Sequence, residues 1–228
     1  LMKLGMALGK HFTVGEHRHK VVIGKDTRLS GYMIEQALTS GLLSMGMDVF
    51  LFGPIPTPAV AMLTKSMRAD LGIMITASHN QYQDNGIKIF DKNGNKLSDE
   101  TEIEIERLMK SELENLLAGP EKIGRAKRLE DANGRYIEFL KGTFPKSQRL
   151  DGLKIVIDCA NGASYISAPL ILWELGAEVI QIATQPNGTN INFECGSTNT
   201  NKLAKKVLEE KADICLLYTS DAADEWRS

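Results

Sequence analysis

The sequence predicts an α/β protein: a mixed, largely parallel sheet flanked by helices, with the α/β unit used more than once. Three observations lead there. Short apolar runs recur at 20–24, 48–52, 71–75, 153–158 and 178–182, and such brief, uninterrupted runs suit strands buried on both faces. Between them lie stretches with apolar residues at helical spacing, and strand–helix alternation at short intervals marks parallel pairing through crossover helices. The joints carry turn residues, among them Gly53-Pro54, Asn93-Gly94 and Asn161-Gly162, which punctuate rather than continue regular structure.

Taken in order, Leu1, Leu4, Leu8 and Phe12 share one face of an opening amphipathic helix. The strand at 20–24 is followed by a loop from Lys25 to Gly31 and a helix from about Tyr32 to Met45, with Ile34, Leu38 and Leu42 inward and Gly46 as its stop. After the strand at 48–52, Thr57 is positioned to cap a helix with Pro58 at its first position. That helix leads to the strand ending at Thr76, and a further strand occupies 87–90. Ser98 opens a long helix in which Asp99, Glu100, Glu102 and Glu104 suit the positive end of the helix dipole. Its apolar stripe, Ile105, Leu108, Met109, Leu113 and Leu116, runs to Gly119-Pro120. A helix over 132–140 leads into 142–146, a domain junction. A second α/β unit begins with the strand at 153–158, then a helix over 166–175 closed by Gly176 and the strand at 178–182. A last helix ends at Glu210 before a strand that starts near Asp213. The expected domains are 1–148 and a partial second domain, 149–214.

The bulk properties exclude several function classes. A chain of 228 residues has room for one or two cored domains. A net charge of −2, no basic run and few aromatic residues argue against nucleic acid or an anionic membrane as partner. No apolar stretch approaches a membrane span. Cys159, Cys195 and Cys215 have neither metal-like nor paired spacing and suit a reducing cytoplasm. His17-Arg18-His19 suggests a metal pair, but between a helix pattern and a strand it reads as a solvated loop.

The densest chemistry lies in Ile75-Thr76-Ala77-Ser78-His79-Asn80 and the following Asp84-Asn85-Gly86-Ile87-Lys88-Ile89-Phe90. The first segment leaves the carboxyl end of a buried strand, where ligands gather in open α/β sheets. Ser78 offers a small hydroxyl there, and His79 a group able to shuttle a proton or stabilise charge. An ordinary polar turn would use the same residues. Lys88 alternates with Ile87 and Ile89 and so leaves their face. Arg28 can offer a bidentate fork to phosphate or hold the serine loop; a surface ion pair is the plainer reading of both cations. A serine hydrolase would need a G-x-S-x-G elbow, which Ser78 lacks.

These segments resemble the phosphoserine loop and the Gly-Ile-Lys strand of the α-D-phosphohexomutases, which move phosphate between the 1- and 6-positions of a hexose. Gln81 stands where that family usually has proline. The resemblance extends over about residues 1–214. The run from Val22 to Tyr32 is similar to the loop that brings an arginine, here Arg28, near the active centre, and Pro56-Thr57-Pro58-Ala59-Val60 to a proline-rich turn. Asp158-Cys159-Ala160-Asn161-Gly162-Ala163 resembles the opening of the second domain. Asn190-Ile191-Asn192 with Cys195-Gly196-Ser197-Thr198 is similar to the N-I-N…C-G-S-T-H string of the bacterial phosphoglucosamine mutases, with Asn199 in place of the histidine. The resemblance implies an isomerase acting on hexosamine or hexose phosphates through a phosphoserine at Ser78 and a bisphosphate intermediate, in amino-sugar and cell-wall precursor synthesis. It makes Arg28, Lys88 and His79 the further catalytic candidates. A phosphomannomutase/phosphoglucomutase, or a non-catalytic sugar-phosphate binder, are the alternatives.

In that family Mg²⁺ is held by the serine phosphate, here on Ser78, and by three aspartates of a D-G-D-x-D-R loop. That loop belongs after the strand near Asp213 and is missing; Asp221-Ala222-Ala223-Asp224-Glu225 has the wrong spacing and no glycine. From Cys215 the string C-L-L-Y-T-S-D-A-A-D-E resembles the conceptual translation of a transposon-end sequencing adapter, so 215–228 is set apart as a non-native tail. Leu1 starts inside a helix, and the F-G-T-D-G-x-R-G strand that precedes it in the family is not seen. The expectation is a mutase fragment, inactive by itself.

Overall fold

The computed structural model describes residues 1–221; Asp224 and Glu225, considered above as metal ligands, lie outside the described residues. The elements follow the predicted alternation: α1 (Met2–Phe12), β1 (Lys20–Lys25), α2 (Ser30–Ser44), β2 (Asp48–Pro54), α3 (Thr57–Ser66), β3 (Leu71–Ile75), β4 (Ile87–Asp91), α4 (Asp99–Met109), β5 (Ala126–Arg128) and α5 (Ala132–Thr143) form the first unit. The second comprises β6 (Lys154–Asp158), α6 (Ser167–Glu174), β7 (Glu178–Ile182), α7 (Asn201–Glu210) and β8 (Ile214–Leu217).

The first sheet has the order β4-β3-β1-β2-β5. All its neighbours are parallel except β3 and β4, which run antiparallel. A crossover through α2 joins the parallel neighbours β1 and β2, the chain then runs through α3 to place β3 on the other side of β1, and β3 returns to β4 through the serine loop and so pairs in the opposite sense. Alternation along β1 divides the core. Val21 and Ile23 join Leu8, Leu38, Leu42 and Ile73 on one face, and Val22 joins Ile55, Val60, Leu63 and Met74 on the other. On the first face α1 and α2 cross at two glycines: a Cβ on Gly41 would lie 2.2 Å from the Met2 carbonyl oxygen, and one on Gly5 2.5 Å from that of Leu38. The second sheet, β7-β6-β8, is wholly parallel. Among the described residues no helix is long and apolar enough to cross a membrane.

Four details differ from the sequence reading. The helix opened by Ser98 ends at Met109, and Leu113–Leu116 is a separate 3-10 turn that delivers Leu113, fully buried, to the first core. Pro56 rather than Thr57 occupies the cap of α3, with no side-chain cap bond. The edge strand β5 was not anticipated, because Ala126-Lys127-Arg128 is exposed throughout and carries no apolar signal. The segment set apart from Cys215 onward is inside the fold as far as Asp221. Cys215, Leu216 and Leu217 pair with Val156, Ile157 and Asp158, and the Tyr218 hydroxyl meets that of Tyr136 at 2.9 Å. A run of Cys-Leu-Leu-Tyr satisfies a strand beside β6 whatever its origin.

Candidate active site

The carboxyl ends of the strands from both sheets converge, and the serine loop lies among them. Leaving β3, Thr76 turns the chain: its amide donates to the Gly86 carbonyl (2.9 Å) and its Oγ1 accepts from the Ser78 amide (3.0 Å). Ser78 adopts φ +51°, in the left-handed region, a conformation that costs an L-residue about 1–2 kcal/mol unless neighbours enforce it. They do so through the tip's own bonds, Asn80 N to Ala77 O at 3.0 Å and Asn80 Nδ2 to Asp84 Oδ2 at 3.0 Å.

Arg28 anchors the loop from beneath. Its side chain is fully buried and paired with Asp26. One amino group, Nη2, donates to the carbonyls of Ser78 (3.3 Å) and Asn80 (2.6 Å). A planar fork of several fixed donors can serve a carboxylate and two carbonyls at once, which lysine cannot. Burial pushes the Asp26 carboxyl up, and the Arg28 guanidinium opposes that shift. Of the two roles open to Arg28, this geometry is that of a residue holding the serine loop.

The second unit completes the clamp. Asn192, itself at φ +56°, donates from Nδ2 to the same two carbonyls, Ser78 O at 3.0 Å and Asn80 O at 2.9 Å. Gln81, the residue in the place of the family's proline, donates from Nε2 to the Asn192 carbonyl at 3.0 Å. Nearby, Thr27 Oγ1 donates to Asn161 O (2.5 Å) and the Leu29 amide to Gly188 O (2.9 Å). Lys88 lies opposite Met74 in the β3–β4 register, away from Ile87 and Ile89. It meets the buried Asp221 carboxylate, Nζ to Oδ2 at 2.7 Å.

Ser78 and Arg28 are thus brought together through the loop backbone, His79 stands exposed beside Ser78, and Lys88 flanks them on β4. Sequence reasoning missed Asn192 and Asp221 as site residues. Asn192 had a usable signal, since it lies in the Asn190-Ile191-Asn192 string, but that string served only to mark a subfamily. Among the described residues, the one group of three metal-ligating side chains is His17, His19 and Asp70, not a set around Ser78.

Comparison with known proteins identifies the family of this chain. The family model for phosphoglucomutase/phosphomannomutase, alpha/beta/alpha domain I, matches residues 1–116. A phosphoglucosamine mutase of Parvibaculum lavamentivorans is 63% identical over 221 residues, covering 97% of this chain and 49% of that protein. One from Paramagnetospirillum magneticum is 62% identical over the same coverage of 97% and 49%. The chain spans about half the length of the curated relatives it matches. A crystal structure of a phosphoglucomutase/phosphomannomutase family protein from Burkholderia thailandensis shares the fold with a TM-score of 0.78 at 24% identity, over 95% of this chain and 47% of that one.

Proposed function

Because this chain belongs to the phosphoglucomutase/phosphomannomutase family, we propose that it serves a phosphoglucosamine mutase reaction in which Ser78 carries and donates the phosphoryl group. The carrying observation is the clamp: a serine at a strand's carboxyl end, its backbone held in the left-handed region by Arg28 and Asn192. Phosphoryl transfer asks chiefly for positioning and charge neutralisation, and this loop provides positioning. The substrate class, glucosamine 6-phosphate and glucosamine 1-phosphate, is supported by relatives of that name at 58–63% identity.

In the first half-reaction a sugar hydroxyl oxygen bonds to phosphorus as the bond to Ser78 Oγ breaks. The hydroxyl proton leaves to a base, for which exposed His79 is the candidate, while Lys88 stabilises phosphate charge. The bisphosphate then turns over, and Ser78 Oγ bonds to its other phosphorus as the bond to the sugar oxygen breaks, that oxygen taking back the proton held by the base. Arg28 acts as a positioning residue. Mg²⁺ would neutralise charge at the Ser78 phosphate. The described residues do not fit it by themselves, since no three ligands converge there and Asp221 is engaged by Lys88; no step here runs through the metal. The three free cysteines support a reducing, cytoplasmic setting.

Incubation of the full-length protein with glucosamine 1,6-bisphosphate followed by peptide mass spectrometry tests the proposal. Phosphate on Ser78, absent from Ser78→Ala, is the expected result. Phosphate elsewhere, or none on Ser78, overturns it. With the full-length protein, failure to process glucosamine phosphate while mannose or glucose phosphate turns over would move the substrate assignment.

A further inference from the structure

We propose that His17, His19 and Asp70 bind a divalent transition metal of the Zn²⁺ or Ni²⁺ class at the amino end of the first sheet, opposite the serine loop. His17 and His19 are two residues apart in the bend and coil that lead into β1, and their rings lie with centroids 4.0 Å apart. Arg18 between them points away, bonding the Asp48 carboxylate at 2.6 and 2.9 Å and the carbonyls of Lys122 and Ile123. Asp70 immediately precedes β3. Its amide donates to Lys20 O (2.8 Å), and its Oδ2 accepts from the Lys20 amide (2.7 Å).

That second bond leaves Oδ1 facing the imidazoles, at 2.8 Å from His17 Nε2 and 3.4 Å from His19 Nδ1. The three donor atoms lie within 4.8 Å of one another. Donors sharing one tetrahedral cation at about 2.0–2.1 Å sit roughly 3.3 Å apart, so small side-chain rotations suffice. A carboxylate whose second oxygen is held by a backbone amide is the outer-shell support that orients metal ligands.

The burial of His19 is the second observation. Its side chain is 7% exposed, which corrects the solvated-loop reading, and its Nδ1 is buried with no hydrogen bond. An orphaned ring nitrogen aimed at a carboxylate and a second imidazole is costly without a partner, and a cation supplies one. Two imidazoles and a carboxylate suit Zn²⁺ and Ni²⁺ rather than Mg²⁺ or Ca²⁺. His17 lines two surface recesses, which leave an open coordination position accessible from outside. The metal would pin the loop before β1 to the start of β3, and this site stands independently of the mutase proposal.

The test uses the full chain, stripped with chelator and carrying Cys215→Ser to remove its one exposed thiol. Zn²⁺ is titrated calorimetrically and Co²⁺ by visible absorption. The expected result is one equivalent bound, a Co²⁺ spectrum with ligand-field bands, and a Zn²⁺-dependent rise in melting temperature. His17→Ala, at a side chain 61% exposed, should fold normally and weaken binding at least ~10-fold, as should Asp70→Asn. Ser78→Ala should bind as the parent does. No bound equivalent, or binding that His17→Ala leaves unchanged, overturns the proposal.

Discussion

Replacing Asn192 tests whether the serine loop is held by the second unit. Asn192→Ala removes two N–H···O bonds, to Ser78 O and Asn80 O, each contributing about 1 kcal/mol net. Neither carbonyl is orphaned, because Arg28 Nη2 still donates to both, so no further desolvation penalty arises. The buried Oδ1 that has no partner also disappears, returning about 1 kcal/mol. Against this, alanine must hold φ +56°, a left-handed conformation costing about 1–2 kcal/mol that asparagine tolerates better. The net cost is about 2–3 kcal/mol.

Asn192→Gly loses the same bonds without the left-handed penalty, so it should cost about 1 kcal/mol less than alanine. That order reverses the usual one, in which glycine is the worse residue by about 0.5–1 kcal/mol. Urea denaturation reads the order. Hydrogen exchange reads the location: the Asn80 amide, bonded to Ala77 O, should exchange at least ~30-fold faster in the alanine variant. Alanine and glycine variants of equal stability, with unchanged exchange in the loop, would mean that Asn192 does not clamp Ser78.

Arg28→Ala should destabilise by about 3–5 kcal/mol, since it strands the buried Asp26 carboxylate; a loss below about 1 kcal/mol in urea titration would contradict the buried pair. Gly41→Ala, ordinarily worth up to about 1 kcal/mol in a helix, should instead lower the melting temperature, because its Cβ would sit 2.2 Å from Met2 O and overpacking costs about 1–3 kcal/mol. Iodoacetamide at pH 8 should modify exposed Cys215 rapidly and spare Cys159 and Cys195, whose thiols burial pushes up to about 12 and about 11; raising the pH toward 9 should leave that ranking intact, and rapid labelling of Cys159 would contradict its burial.

The fold was legible because its signals are local. Val21, Ile23 and Ile73 are apolar runs, and runs of that length have one stable disposition, in the middle of a sheet. Ser78, His79 and Lys88 became candidates through their strand contexts together with the resemblance of their motifs. The buried charges were not, since composition places Lys25 and Arg28 outside; Asp26 lies two residues from Arg28, yet only the packed structure shows that pair, and the Lys25–Glu35 pair, to be buried. Asn192 was illegible as a clamp for a related reason: it is 114 residues from Ser78, and nothing local says which backbone an asparagine will reach. His19 shows the converse error, a residue judged by its loop setting and found buried against a neighbouring strand.

The distribution of these contacts has a consequence for where the site ends. The family model stops at residue 116, and it contains Arg28, Ser78, His79 and Lys88. Yet both loop carbonyls bonded by Arg28 are also bonded by Asn192, and Lys88 faces Asp221. The two carbonyls that Arg28 holds therefore have a second donor from the second unit. A left-handed serine is stable only when its surroundings over-determine it, and here two of the bonds on its loop come from Asn192 of the second unit. The serine's conformation is thus coupled to how the second unit is seated, so loosening the contact at Asn192 should relax Ser78 even though no side chain of the first unit has changed.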